Sequence, residues 1–470
     1  MTLAQTAMVL GGELRGTDAR FEDVCTDSRT LKKGDLFIAL RGEKYDGHDF
    51  VSHAAAAGAV AALVDRKYEN TAVDTAANTA HGLPVAAVAD TTVALGALAA
   101  HWRRQFSIPL VAVGGSNGKT TVKEMIAACL RAHFGDAAVL ATRGNLNNHI
   151  GLPLTLLALR EAHRVAVVEV GMNHPGETAQ LAAMAAPTIA VINNAQREHQ
   201  EFMCSVADVA VEHASLIAAL PADGVAVINA DDAHAGVWRA AAGARGVRDF
   251  GLQHSAAVRA QCRMQSVSTH LEVTTPEERA AFELPLAGEH NVRNALAAIA
   301  AATAAGAALA ACARALARFV AVKGRLQIKT GRHGAMLIDD TYNANPDSVR
   351  AAIDVLARAP GRKLLVLGDM GEVGAQGAAF HEEVGVYARD AGIDGLYALG
   401  ELAAVTARAF GAGARHYPRL EDLLADVEGA LGPQTTLLVK GSRFMQMERV
   451  VCGIEAATGK LTTGGISDAA

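Results

Sequence analysis

Residues Val111–Thr121, VAVGGSNGKTT, decide how the rest of the chain is read. An apolar β-type run, Leu110–Val113, is entered through Pro109 and feeds a glycine-rich turn. The turn ends in Gly118-Lys119-Thr120-Thr121 and opens a helical run, VKEMIAACLRAHF. Strand, glycine turn and helix in this order predict a phosphate loop. Glycine N–H groups wrap phosphate oxygens without Cβ clashes, and the helix N-terminus adds positive potential. Lys119 is then the group that reaches β- and γ-phosphates, and a threonine hydroxyl the group that ligates Mg²⁺. The loop is a variant, because the position of the usual first glycine holds Val113, with Gly114 and Gly115 closer in.

The surroundings of this loop predict an α/β unit over about 106–322. RVAVVEVG, TIAVINNA and GVAVINADD are short apolar runs that alternate with helical stretches. That alternation predicts a largely parallel sheet covered on both faces, with ligands beyond the carboxyl ends of its strands. Glu169 lies near the end of one strand, Asn194 ends the next, and His199 follows shortly after. All three are expected to open toward Lys119, where a carboxylate and an imidazole suit Mg²⁺ held directly or through water. TRGNLNNHIGLPLTLL sets the amides of Asn145, Asn147 and Asn148 just before a helix. From about 253 to 287 short alternating segments suggest a small antiparallel insertion. A helix then starts in GEHNVRNALAA, where Asn291 and Asn294 stand i, i+3 and share a face. Paired amides can read an adenine edge, with helix capping the alternative for one of them.

Residues 1 to about 105 are expected to form a smaller first α/β unit. Its polar loops carry Ser28, Arg29, Lys44 and His48, which serve equally as solvated loops or as a grip on a phosphorylated ligand. SHAAAAGAVAAL within it reads as an alanine-rich helix. Residues from about 323 to 470 read as a second doubly wound, Rossmann-like unit. Its strands AMLIDD, KLLVLGDMGE, GLYALGE and TTLLVKGSR bring Asp339, Asp340, Asn343, Asn345, Asp369, Lys440, Ser442 and Arg443 to one strand-end face. The tail from Gly459 onward is Gly, Thr, Ser and Asp, and disorder is expected there.

The composition of the 470 residues, 51% hydrophobic and only 4% aromatic, requires a core of Ala, Val, Leu and Ile. A net charge of -6 without Lys/Arg runs argues against nucleic acid as a partner. Six scattered cysteines without C-x-x-C suggest neither zinc nor disulfides, and a reducing cytoplasm is expected. No secretory signal is read at the N-terminus. Ala295–Ala313 carries no charge, but its Ala, Gly and Thr content predicts buried helices rather than a membrane span.

GGSNGKTT, GNLNNHIGLPLTLL, EVGMNHPGE, GEHNVRNALAA, VKGRLQ and DDTYNANPDS, with DSRTLKKGDLFIALRGEKYDGHDF at the front, occur in this order in the Mur ligase family. The resemblance spans essentially the whole chain. It implies an ATP-dependent, ADP-forming amide-bond ligase of peptidoglycan precursor synthesis, acting in the cytoplasm on small molecules, with a monomer expected. DDTYNANPDS is most similar to the member that adds D-alanyl-D-alanine to UDP-N-acetylmuramoyl-tripeptide. The D-N-P-R segment expected of the diaminopimelate-adding relative is absent. The resemblance implies that Gly115, Ser116, Asn117, Gly118, Lys119, Thr120 and Thr121 hold the ATP phosphates. Lys119 neutralises the transferred phosphoryl group, Thr120 and Glu169 hold Mg²⁺, and His199 supports a second metal. Asn291 and Asn294 contact adenine, Arg325 faces the phosphates, and Asp340 the ribose. Ser28, Arg29 and the loop around His48 sit near the uridine nucleotide, and Asn145 and Asn148 face the muramyl part. Tyr342, Asn343 and Asn345 face D-Ala-D-Ala.

Three departures stand out. Where many members carry a carbamylated lysine that bridges metal, the register gives His213, with Glu212 beside it and no lysine from Val206 to Leu220. A glycine-rich G-F-G-S is replaced by Phe202–Ser205, FMCS, and Gly114 replaces a frequent threonine. A nucleotide switch or kinase would not need the second strand-end face of Asp340, Asn343 and Asn345, and folylpolyglutamate synthase-like chemistry would not need the uridine-type front unit.

Overall fold

The computed structural model describes residues 1–68 and 82–456, so the tail expected to be disordered lies outside the described residues. The chain builds three sheets, one per unit, and the α/β class with a central phosphate-loop sheet is as expected. In the first unit, strands Val24–Cys25, Leu36–Ile38, Ala61–Asp65 and Val85–Val88 run parallel, and Glu13–Arg15 closes the edge antiparallel. The alanine-rich stretch does not stay helical. The helix Val51–Ala57 ends at Gly58, whose φ of 105° caps it, and the following residues form the strand Ala61–Asp65. Alanine favours the helix, but Gly58 stops it, and burial of Ala61–Asp65 in the sheet overrides that preference.

The central sheet has nine strands. Leu110–Gly114 lies between Val165–Glu169 and Ile189–Ile192, all parallel and fully buried because helices cover both faces. Val225–Asn229 and Gly246–Gly251 extend it in parallel. The segment expected as a small antiparallel insertion does pair antiparallel, and it does so as a continuation of this sheet. Val258–Met264 pairs parallel with Gly246–Gly251, and Thr269–Thr274 and Arg279–Leu284 add antiparallel. The uncharged stretch forms two buried helices, Glu289–Ala304 and Leu309–Leu316, divided at Gly306 with φ 93°. Among the described residues no helix is long and apolar enough to cross a membrane.

The third sheet has six strands. Met336–Asp340, Thr435–Lys440, Arg362–Gly368, Gly395–Leu399 and Ala414–Tyr417 are parallel neighbours, with Gln327–Thr330 antiparallel at one edge. The first two units share one apolar core that runs from Leu36 and Leu63 through Leu98 to Leu156 and Val168. The third has its own, around Ile338, Ile353, Leu365 and Val384.

Candidate active site

The phosphate loop emerges at the middle of the central sheet, where three parallel strands end together. Its shape depends on glycine at two points. Gly115 has φ 120°, and a Cβ there would lie 3.0 Å from the Asn193 backbone nitrogen. Gly118 has φ 85°, and its Cβ would lie 2.6 Å from Asn294 Oδ1. Amides brace the loop from behind. Asn193 Nδ2 donates to the Asn117 carbonyl at 2.7 Å and to Asn294 Oδ1 at 2.9 Å. Asn294 Nδ2 donates onward to Asn291 Oδ1 at 3.2 Å. The helix Glu289–Ala304 is capped by Gly288, so neither asparagine is its cap. The structure brings Asn291 and Asn294 together, buried and bonded to each other, at the wall of the loop's cavity.

Lys119 folds back over the loop. Its Nζ donates to the carbonyls of Gly115 at 2.6 Å and Ser116 at 3.0 Å, and to Glu198 Oε2 at 3.2 Å. Glu198 is 6% exposed, and its other oxygen meets His213 Nε2 at 3.0 Å. Burial alone would raise this carboxyl, but Lys119, His213 and His199 outweigh it and hold it at about 2. His199, at φ 48°, stands 3.8 Å from Glu198 and 2.7 Å from Glu372 of the third unit. Glu212 turns away, accepting the N–H groups of Gly176 and Thr178 at the start of the helix Glu177–Ala185. His213, at the expected carbamate position, is turned to Glu198, and its neighbour Glu212 is not.

Glu169 is 2% exposed beside the loop. Its Oε1 accepts from Asn147 Nδ2 at 2.8 Å, while Oε2 is buried with no hydrogen-bond partner among the described residues. A partnerless buried carboxylate oxygen lining the same cavity as the Thr120 hydroxyl is a hard donor set that fits Mg²⁺. Among the described residues no three His, Cys, Asp or Glu gather as a metal cage. Magnesium in nucleotide sites does not require one, since it keeps waters and takes phosphate oxygens.

The third unit closes the other side. Arg325 Nη2 donates to Thr120 Oγ1 at 2.9 Å, and its guanidinium lies 4.1 Å over the Tyr342 ring. Asn345 caps the helix Pro346–Ala357 and exchanges amide bonds with Asn117 at 3.0 and 3.3 Å. Asp340 is paired with Lys440 Nζ at 2.6 Å; burial raises its carboxyl despite that cation. Asn343 Oδ1 accepts from the backbone of Ala344 at 2.9 Å. Arg197 forks onto Asp347 and Glu383, both at 2.6 Å, and these carboxylates push its guanidinium above its ordinary value against the effect of burial. His290, in the cavity wall, is lowered to about 4 by burial and by Lys440 and Arg293.

The loop, Glu169, His199, Asn291, Asn294, Arg325, Asp340, Tyr342, Asn343 and Asn345 thus line one cavity of about 730 Å³. Asn148 lines it too, with its Oδ1 spent on the N–H groups of Ile150 and Gly151. Ser28, Arg29, His48 and Asn145 do not line it. Arg29 forks onto Asp27 on the surface, at 2.9 and 2.7 Å. His48 is buried, with Nδ1 on Asp46 at 2.5 Å and Nε2 accepting from the Asp65 N–H at 2.9 Å, so both ring nitrogens serve the fold. Asn145 is exposed. Glu198, Asn193 and Arg197 carry no signal of a role in the sequence alone. Glu198 stands next to His199 in the chain, and only the return of His213 from a helix one loop later shows what it does.

Three parts of the chain match parts of one family: the Mur ligase family catalytic domain over residues 20–103, the Mur ligase middle domain over 113–302, and the Mur ligase glutamate ligase domain over 324–443. UDP-N-acetylmuramoyl-tripeptide–D-alanyl-D-alanine ligase of Escherichia coli K12 is 40% identical over 97% of this chain and 98% of its own length. The enzyme of that name from Bacillus subtilis is 36% identical over 91% of this chain and 92% of its own. A crystal structure of MurF from Acinetobacter baumannii superposes with a TM-score of 0.87 at 33% identity, over 96% of this chain and 97% of that one. MurF ligase from Thermotoga maritima in complex with ADP gives 0.80 at 26% identity, over 92% and 96%. Related over more than nine-tenths of its length to proteins that share its three-unit fold, the chain belongs to the Mur ligase family.

Proposed function

We propose that this chain uses ATP to join D-alanyl-D-alanine to UDP-N-acetylmuramoyl-tripeptide, releasing ADP and phosphate and giving the UDP-muramyl-pentapeptide of peptidoglycan synthesis. The observation that carries it is one cavity lined by a phosphate loop and a second strand-end face, in a chain 40% identical to a ligase of that name. A carboxylate is a poor electrophile at neutral pH. Its oxygen attacks the γ-phosphorus of ATP, ADP leaves, and the resulting acyl phosphate carries a good leaving group. The amine of D-Ala-D-Ala adds to the acyl carbon, and phosphate departs from the tetrahedral adduct with loss of a proton.

The protein's share is positioning and charge neutralisation. Lys119 exchanges an acceptor for phosphate oxygens, and Arg325 faces the same phosphates from the third unit. Thr120 and Glu169 would hold Mg²⁺, which would supply further neutralisation of phosphate charge, and His199 would support a second metal. Ser116, Asn117 and Thr121 complete the loop's grip. Asn291 and Asn294 form the wall for adenine, and Asp340 faces the ribose. Tyr342, Asn343 and Asn345 receive D-Ala-D-Ala. Ser28, Arg29 and the loop around His48 lie toward the uridine end of the long substrate, and Asn145 and Asn148 toward its muramyl part. Closure of the third unit excludes the water that would hydrolyse the acyl phosphate. Dependence on ATP and a UDP-linked substrate supports a cytoplasmic location.

Phosphate release measured with ATP, D-Ala-D-Ala and the UDP-muramyl-tripeptide tests this reading. Release is expected only with all three present. ATP turnover that ignores both the tripeptide and D-Ala-D-Ala would sink it. Running diaminopimelate- and lysine-containing tripeptides side by side identifies the third residue.

A further inference from the structure

We infer that Glu198, held by His213, is a positioning residue that makes nucleotide binding at the phosphate loop depend on a divalent cation. The inference rests on the proposed ATP site. Glu198 presents two oxygens with separate tasks. Oε1 meets His213 Nε2 at 3.0 Å, and Oε2 meets Lys119 Nζ at 3.2 Å. His213 is 2% exposed and sits on the helix Val206–Ala218, so it fixes the carboxylate from a rigid element. Lys119 has its three donors engaged, two by loop carbonyls and the third by Glu198. An incoming polyphosphate must take over at least one of them.

The charged partner is the one that matters. Phosphate oxygens that approach Lys119 also approach the anionic Oε2, and like charges at such distances in a buried site repel strongly. A divalent cation between phosphate and the carboxylates removes the repulsion, and the partnerless Glu169 Oε2 marks the side from which it is held. Other charged groups near Glu198 do not replace the cation. His199 stands 3.8 Å away and is itself paired with Glu372, and Asp232 adds a further carboxylate near His213. Glu198 therefore sets a condition: nucleotide with its metal is admitted, and bare nucleotide is refused. A neutral glutamine of the same shape would keep its amide oxygen on Lys119 and donate its N–H to His213 Nε2 in the other ring tautomer, and so would lift the condition.

The test is ADP affinity measured by calorimetry on the full chain, once with Mg²⁺ and once with EDTA. For the wild-type chain, Mg²⁺ is expected to tighten ADP strongly. In Glu198→Gln the affinity in EDTA is expected to rise about tenfold while the affinity in Mg²⁺ changes little, so the metal effect shrinks. An equal or larger metal effect in E198Q would overturn the proposal. A melting curve reports whether the variant is folded. Should it not be, His213→Gln decides by the same titration: a smaller metal effect supports the pair, and an unchanged one removes it. A wild-type chain that binds no ADP under either condition would instead overturn the ATP site on which the inference rests.

Discussion

Lys119 has all three donors occupied before any phosphate arrives, and two of the acceptors are carbonyls of the loop it must serve. That geometry keeps the ammonium over the loop rather than in solvent. Lys119→Ala is expected to lower turnover at least about a hundredfold, as the loss of one preorganised cation at a transferring phosphoryl group does. Far-UV circular dichroism should be unchanged, and phosphate release within a few-fold of wild type would refute the role. His290 gives a second residue-scale prediction. Burial, Lys440 and Arg293 hold it at about 4, against 6.5 for the unfolded chain. Between those values the unfolded chain binds more protons, so stability is full above pH 6.5 and falls as pH drops toward 4, by at most about 1.4 kcal/mol per pH unit. His290→Gln should flatten the melting temperature against pH in that window. An identical slope in both proteins would show that His290 does not titrate there.

At the scale of elements, the loop and its helix stand or fall on Gly118. A Cβ there meets two side-chain amides, Asn294 Oδ1 at 2.6 Å and Asn193 Nδ2 at 2.8 Å, at a φ of 85° that L-residues seldom adopt. Gly118→Ala is expected to cost about 1–3 kcal/mol and to weaken ADP binding more than tenfold, read by denaturant titration and calorimetry. Wild-type binding would mean the amide brace yields without effect. The same element shows why some of the fold was readable and some not. Leu110–Gly114 and its neighbours are buried on both faces, so each appears as an unbroken apolar run. Gly246–Gly251, Gln327–Thr330 and Ala414–Tyr417 are partly exposed and carry Arg248, Lys329 and Arg415, so no such run marks them. Likewise, strand-end position pointed to Glu169, whereas Glu198 acquires meaning only through contacts with Lys119 and His213. His48 reads equally as a solvated loop residue or as a grip on a phosphorylated ligand, because the sequence does not disclose that Asp46 and the Asp65 N–H occupy both its nitrogens.

Over the whole molecule, the units join in two different ways. The first and second are fused through one apolar core, and the buried Arg103 adds bonds to the carbonyls of Ala185 and Ile108 at 3.1 and 3.3 Å. The second and third meet around the cavity through polar pairs: Arg325 with Thr120, Asn117 with Asn345, His199 with Glu372, and Arg197 with Asp347 and Glu383. Polar pairs can be exchanged for water at small net cost, whereas an apolar core cannot be opened without exposing it. The second joint is therefore the easier of the two to open. Arg197 is its strongest single tie, a forked guanidinium between two carboxylates that also lies 5.2 Å over the Phe380 ring. Bidentate pairs of this kind are stronger than ordinary surface ion pairs, and removing the cation leaves two carboxylates facing each other. Arg197→Ala is accordingly expected to favour open arrangements. Small-angle scattering of the free chain should show a larger radius of gyration, ADP should bind more weakly because Arg325 and Asp340 withdraw from it, and kcat/KM for the complete reaction should fall by about ten- to a hundredfold, because the third unit supplies a third of the residues that line the cavity. Scattering and kinetics that both match wild type would mean that the remaining pairs hold the units closed without it.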